Sequence, residues 1–185
     1  MRTTPFFRRL SATLAAALLL ATLLAPAGVA AADGPQPLPP GQMAPEFTAI
    51  DLDGKPFALK EALAGGPVAL VFWSLLCGSC REELPLLQQE LPQFEANKVR
   101  LYAMNLDQAT HRTPVKKFVA QQGFTFTVLL NEDGEKSFAV EDVFQVKMTP
   151  ALFLIGADGK ILYSHYGPLE PSQIGPEVLS KVPKN

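Results

Sequence analysis

The stretch Val68-Ala69-Leu70-Val71-Phe72-Trp73-Ser74-Leu75-Leu76-Cys77-Gly78-Ser79-Cys80-Arg81-Glu82-Glu83-Leu84-Pro85 decides the fold. From Val68 to Trp73 the chain is apolar without a break, and Gly65-Gly66-Pro67 stops it on the near side. That pattern predicts a central strand covered on both faces. From Ser79 onward the period changes: Leu84, Leu87, Leu91 and Phe94 recur at helical spacing. Pro85 should kink that helix and Pro92 disturb it. Cys77-Gly78-Ser79-Cys80 therefore falls where a strand gives way to a helix. A cysteine there meets the positive end of the helix dipole and unpaired backbone N–H groups that stabilise a thiolate. Cys77 is expected to be the more acidic and exposed thiol, and Cys80, one turn on, to lie deeper on the same face within reach of the first sulfur.

Working outward, the chain alternates strands and helices. Phe47 to Ile50 and Lys55 to Ala58 flank the turn Asp53-Gly54, which predicts an opening hairpin, followed by a short helix over Leu59 to Leu63. A second central strand is expected over Val99 to Asn105. A helix capped by Thr113, with Pro114 as its first residue, should follow and end near Gly123. Val128 to Leu130 reads as a third strand or loop edge, and Asp133-Gly134 as a turn into a short helix over Ser137 to Val140. Ala151 to Ile155 and Lys160 to Tyr166, joined at Ala157-Asp158-Gly159, predict a closing hairpin. Gly175-Pro176 should make the last helical segment, Pro171 to Val182, irregular. These elements imply an α/β fold with a mixed sheet and helices on both faces.

The N-terminus reads as an export signal over residues 1–32. Arg2, Arg8 and Arg9 precede an apolar run, Ala12 to Ala25, and Ala30-Ala31-Ala32 follows it. The run holds 14 residues, short of the roughly 20 that a spanning helix needs. An uncleaved signal would be the chain's only membrane contact. Residues 33–43, rich in proline, read as an extended linker, and 44–185 as one domain. Without the signal, 13 Lys+Arg face 18 Asp+Glu, a formal charge of −5. That balance argues against nucleic acid or an anionic membrane as a partner. The expected location is periplasmic or otherwise extracytoplasmic.

With two cysteines three residues apart, a bridge closes a tiny loop and restrains little of the unfolded chain, so chemistry explains the pair better than stapling does. One thiolate attacks a partner disulfide, a mixed disulfide forms, and the second cysteine resolves it. No metal or other cofactor is expected. Zinc would need four ligands, and the two histidines, His111 and His165, lie far from the motif and from each other in sequence. Glu82 and Glu83 read as a solvated helix face.

Several motifs together carry a resemblance: Gly41-Gln42-Met43-Ala44-Pro45-Glu46-Phe47, Val71-Phe72-Trp73 entering the CxxC, Arg81-Glu82-Glu83-Leu84-Pro85, Met148-Thr149-Pro150, and Phe153 to Gly159. From about Pro40 to Val182 the chain resembles the thioredoxin fold. It is most similar to the exported branch that includes the TlpA/ResA group and the thioredoxin-like reductases of cytochrome c maturation. The resemblance implies a cis-proline at Pro150 opposite the CxxC, with Thr149 offering backbone groups to an extended substrate and Leu76 at the rim. Trp73 is expected to pack beneath the active-site loop, with Gly78 and Ser79 supporting the cysteines. It further implies exported protein disulfides as substrates and a membrane-embedded thiol carrier as electron donor. Departures from the family pattern are Leu76 for tryptophan, Ser79 for proline, and Val71 where thioredoxin buries an aspartate. That last change leaves proton transfer at Cys80 to water, another carboxylate, or no fixed base.

Two other functions share these features. In a peroxiredoxin-like peroxidase, Ser74 would be the activating hydroxyl three residues before the cysteine. A Cu(I)-delivery protein for oxidase assembly would use both thiolates and Met148 as third ligand.

Overall fold

A computed structural model describes residues 36–130 and 139–183. The predicted signal, and the predicted turn at Asp133-Gly134 with the start of its helix, lie outside these residues. The hairpin comprises β1 (Thr48–Asp51) and β2 (Pro56–Ala58), and α1 spans Leu59–Leu63. The central strand β3 (Val68–Trp73) leads into α2 (Gly78–Ala96), which contains both Pro85 and Pro92. Next come β4 (Arg100–Asn105), a single 3-10 turn at Ala109–His111, α3 (Arg112–Gln122) and β5 (Thr127–Leu130). A short α4 (Val140–Val143) precedes the closing hairpin of β6 (Ala151–Ile155) and β7 (Ile161–Tyr166). The final helical segment is broken at Gly175 into α5 (Pro171–Ile174) and α6 (Pro176–Leu179).

The strands form one seven-stranded mixed sheet in the order β2-β1-β5-β4-β3-β6-β7. β3 runs parallel to β4, and β4 to β5; the remaining pairs are antiparallel. This is the thioredoxin-like arrangement expected from the sequence, with the β1-β2 hairpin added at one edge. Every residue of β3 is buried, and its side chains alternate between two cores as pleating requires. Ala69, Val71 and Trp73 join α2, α3, α5 and α6 on one face. Val68, Leu70 and Phe72 join α1 and α4 on the other, together with Phe47, Phe144 and Phe153.

Two local expectations differ from what is observed. The cap of α3 is His111, with no side-chain capping bond, because the 3-10 turn carries the chain into the helix two residues before Thr113. The proline-rich stretch before the domain is also not loose throughout. Leu38 is buried, and Gly41 N donates to Ile161 O (2.8 Å), Ile161 N to Gln42 O (2.8 Å) and Ala44 N to Gly159 O (2.8 Å). These bonds lay residues 41–44 along the outer turn of the β6-β7 hairpin, a pairing between distant segments that composition cannot reveal.

Candidate active site

β3 delivers the chain to the C-terminal edge of the sheet, where a turn leads into α2. Cys77 is the N-cap of that helix, with extended backbone (φ −84°, ψ 109°), and its sulfur accepts a hydrogen bond from Cys80 N at 3.1 Å. The cap position, usually held by a serine or aspartate oxygen, is here held by sulfur, so one orphan N–H of the first turn points at the Cys77 sulfur. Cys77 and Cys80 are joined as a disulfide, with Cα atoms 5.3 Å apart. Cys80 is fully buried and Cys77 half-buried, the depth order expected from one helical turn of separation.

The loop before β6 closes the other side. The Thr149-Pro150 peptide bond is cis, and Thr149 O lies 3.5 Å from Cys77 Sγ. Ser79 Oγ is 3.4 Å from the same sulfur. Gly78 has open space where a side chain would begin. Leu76 is 85% exposed and Met148 46% exposed, so an apolar side chain stands on each of the two loops that frame the sulfurs. Trp73 is fully buried among the core residues behind the motif, its ring 5.8 Å from that of Phe118 and its Nε1 without a hydrogen-bond partner.

Glu83 departs from expectation. It is 3% exposed, whereas Glu82 beside it is exposed. Glu83 lies on the buried stripe of α2 one turn beyond Cys80, between that cysteine and Leu87, and helical spacing alone places it there. Its Oε2 accepts a hydrogen bond from Leu169 N at 2.9 Å, while Oε1 is buried without a partner. Burial pushes its pKa up to about 7, against the pull of the Leu169 N–H. A carboxyl group near neutrality thus occupies the layer where Val71 replaces thioredoxin's aspartate. On the neighbouring β7, burial and then the Glu177 and Glu83 charges push Tyr163 up to about 12.

Ser74, the hydroxyl a peroxidase would aim at its cysteine, is committed elsewhere. It donates to Asp107 Oδ1 at 2.6 Å and accepts from Leu76 N at 3.1 Å. Asp107, with Asn105 beside it, is a site-adjacent residue that the sequence reading missed. Of the histidines, His111 is exposed and His165 lies against Tyr163, ring centroids 6.4 Å apart. Among the described residues no group of three or more histidine, cysteine or acidic side chains could hold a metal ion.

The architecture and the motif agree with comparisons to known proteins. Residues 40–164 match the AhpC/TSA family. The thiol-disulfide oxidoreductase ResA of Bacillus thuringiensis subsp. konkukian is 32% identical over 142 residues, 77% of this chain and 78% of that protein. ResA of Bacillus subtilis is 30% identical over 76% of this chain and 75% of its own length. Among solved structures, a putative thiol:disulfide interchange protein DsbE from Chlorobium tepidum superposes with a TM-score of 0.64 at 31% identity, covering 77% of this chain and 99% of that one. With a Cys77–Cys80 disulfide at the start of a helix in a thioredoxin-like sheet, the chain belongs to the AhpC/TSA family and to the ResA-type thiol-disulfide oxidoreductases.

Proposed function

We propose that this oxidoreductase works outside the cytoplasm, reducing disulfides in specific exported proteins, with Cys77 as nucleophile and Cys80 as resolving thiol. The observation that carries the reading is the placement of Cys77 Sγ at the N-cap of α2, beside Thr149 O and the cis Pro150. In the reduced protein the Cys77 thiolate attacks one sulfur of a substrate disulfide, forming a mixed disulfide and releasing one substrate thiol. Cys80 then loses its proton and attacks Cys77 Sγ. The second substrate thiol leaves, and the Cys77–Cys80 bridge forms with two electrons passed to the substrate. Glu83, poised near neutrality one turn along, is suited to take the Cys80 proton and return it when the protein is reduced again. Thr149 and Leu76 contact the incoming polypeptide, while Trp73, Gly78 and Ser79 support the motif. The predicted signal sequence supports export, and the resemblance to the cytochrome c maturation branch supports a membrane thiol carrier as electron source.

The reading is tested by trapping. With Cys80→Ala the mixed disulfide has no internal resolver, so exported partners should accumulate covalently on Cys77 and be released by dithiothreitol. Recovery of none, or equal trapping by a Cys77→Ala variant, would overturn the role assignment. The reduction potential sets the direction: a value near about −270 mV fits a reductase, and one near about −120 mV an oxidase.

A further inference from the structure

Between the last residue of β3 and Cys77 lies a short turn, Ser74-Leu75-Leu76, that belongs to neither strand nor helix. One side chain from beyond the neighbouring strand takes up its polar groups. Ser74 Oγ donates to Asp107 Oδ1 at 2.6 Å, and Leu75 N donates to Asp107 Oδ2 at 2.8 Å. Asn105 Nδ2 donates to the same Oδ2 at 2.7 Å, and Asp107 N donates back to Asn105 Oδ1 at 3.2 Å. Ser74 Oγ also accepts from Leu76 N at 3.1 Å, and Cys77 N closes the turn on Ser74 O at 3.2 Å. Bonds to a charged acceptor are the strong ones among side-chain hydrogen bonds. Their consequence is an ordered split: Leu75 packs against the core while Leu76, the residue before Cys77, is 85% exposed. An exposed leucine on an unrestrained turn would lose its freedom on meeting a partner, and one already held in place loses less.

We infer that Asp107 is a positioning residue that holds Leu76 as a fixed apolar contact beside Cys77. The protein thereby favours polypeptide disulfides that carry a bulky apolar side chain next to the attacked cysteine. This rests on the disulfide-exchange reading above. Met148, on the opposite loop before Thr149, is a second partly exposed apolar side chain.

The test uses two disulfide-bonded peptides identical except for Leu or Ser beside the attacked cysteine, and follows oxidation of the reduced full-length protein by each. The quantity read is the ratio of the two second-order rate constants. A change in the thiolate fraction of Cys77, or partial unfolding, enters both rates alike and cancels. The ratio should favour the Leu peptide in the native protein, fall roughly five- to tenfold in Leu76→Ser and Asp107→Asn, and fall less in Ser74→Ala. Combining Leu76→Ser with Asp107→Asn should lower it no further than Leu76→Ser alone, since both act through one contact. A ratio unmoved by Asp107→Asn and Ser74→Ala, or losses that multiply in the combined variant, would overturn the positioning role. Failure of the unmodified protein to react with either peptide would overturn the exchange reading, and this inference with it.

Discussion

The two layers flanking the sheet are made from alternate residues of the same strands, yet one is inert and the other is reactive. On one face Phe72, Phe144 and Phe153 pack ring against ring, with centroids 5.3, 5.7 and 5.2 Å apart, and Phe47 joins Phe144 at 5.7 Å. The fully buried residues of that layer are all apolar, and the partly buried Tyr102 and Tyr166 pack against them. On the other face the same strands meet α2, and the layer holds Cys80, the buried Glu83, the unpaired Nε1 of Trp73 and the half-buried Tyr163. Residues 72 and 73 thus serve different ends. The dry layer supplies the stability that lets the reactive layer keep a carboxyl group that burial penalises.

The sharpest way to break this division is to damage the dry layer and watch the reactive one. Phe153 is fully buried in the middle of β6 and touches two other rings. Phe153→Ala should cost about 3–5 kcal/mol of unfolding free energy, read from the denaturant midpoint of the oxidised protein. The alkylation rate of Cys77 per folded molecule should stay that of the native protein. A large change in that rate would show that the layers are not separable.

The next effect belongs to Glu83. Its pKa rises from 4.5 to about 7 on folding, so the folded chain binds this proton more tightly than the unfolded one. The stabilisation is complete below about pH 4.5 and is lost as pH rises through about 7, a total on the order of 3 kcal/mol. Denaturant midpoints at pH 5 and pH 8 should therefore differ in the native protein, and differ much less in Glu83→Gln. Subtracting the variant removes whatever pH dependence the two proteins share. Equal pH dependence in the two proteins would show that burial does not raise the Glu83 pKa, and would remove the support for its proposed role as proton acceptor at Cys80.

What the sequence revealed and what it concealed follow the same line between local and distant causes. β3, the two hairpins and the Cys77 junction were legible because their signals are short: an unbroken apolar run, Asp-Gly turns, and a change of period at Ser79. Glu83 was misread as solvated although it lies on the Cys80–Leu87 stripe. Its burial is completed by Leu169, 86 residues away, whose N–H it accepts. Asp107 was invisible for a similar reason. Its partners at Ser74 and Leu75 become neighbours only once β3 and β4 pair in parallel, with Trp73 opposite Asn105. The docking of residues 41–44 on the β6-β7 turn likewise depends on backbone bonds that no side-chain pattern announces.

The smallest expected effect lies at the surface of the reactive layer and marks where its constraints end. Gly78 sits between the N-cap sulfur and Ser79, a place where a glycine invites explanation by necessity. It does not have a positive φ, and a Cβ added there would meet nothing within 4 Å. It is also exposed and is the first residue of α2, where alanine is the better helix former by up to about 1 kcal/mol in a helix interior and by less at a terminus. Gly78→Ala should therefore leave the denaturant midpoint unchanged or raise it slightly, in contrast to Phe153→Ala. A loss of about 1 kcal/mol or more would mean that the turn into α2 needs a freedom the observed backbone does not use. The line between a tolerant rim and an intolerant interior would then have to be drawn further out.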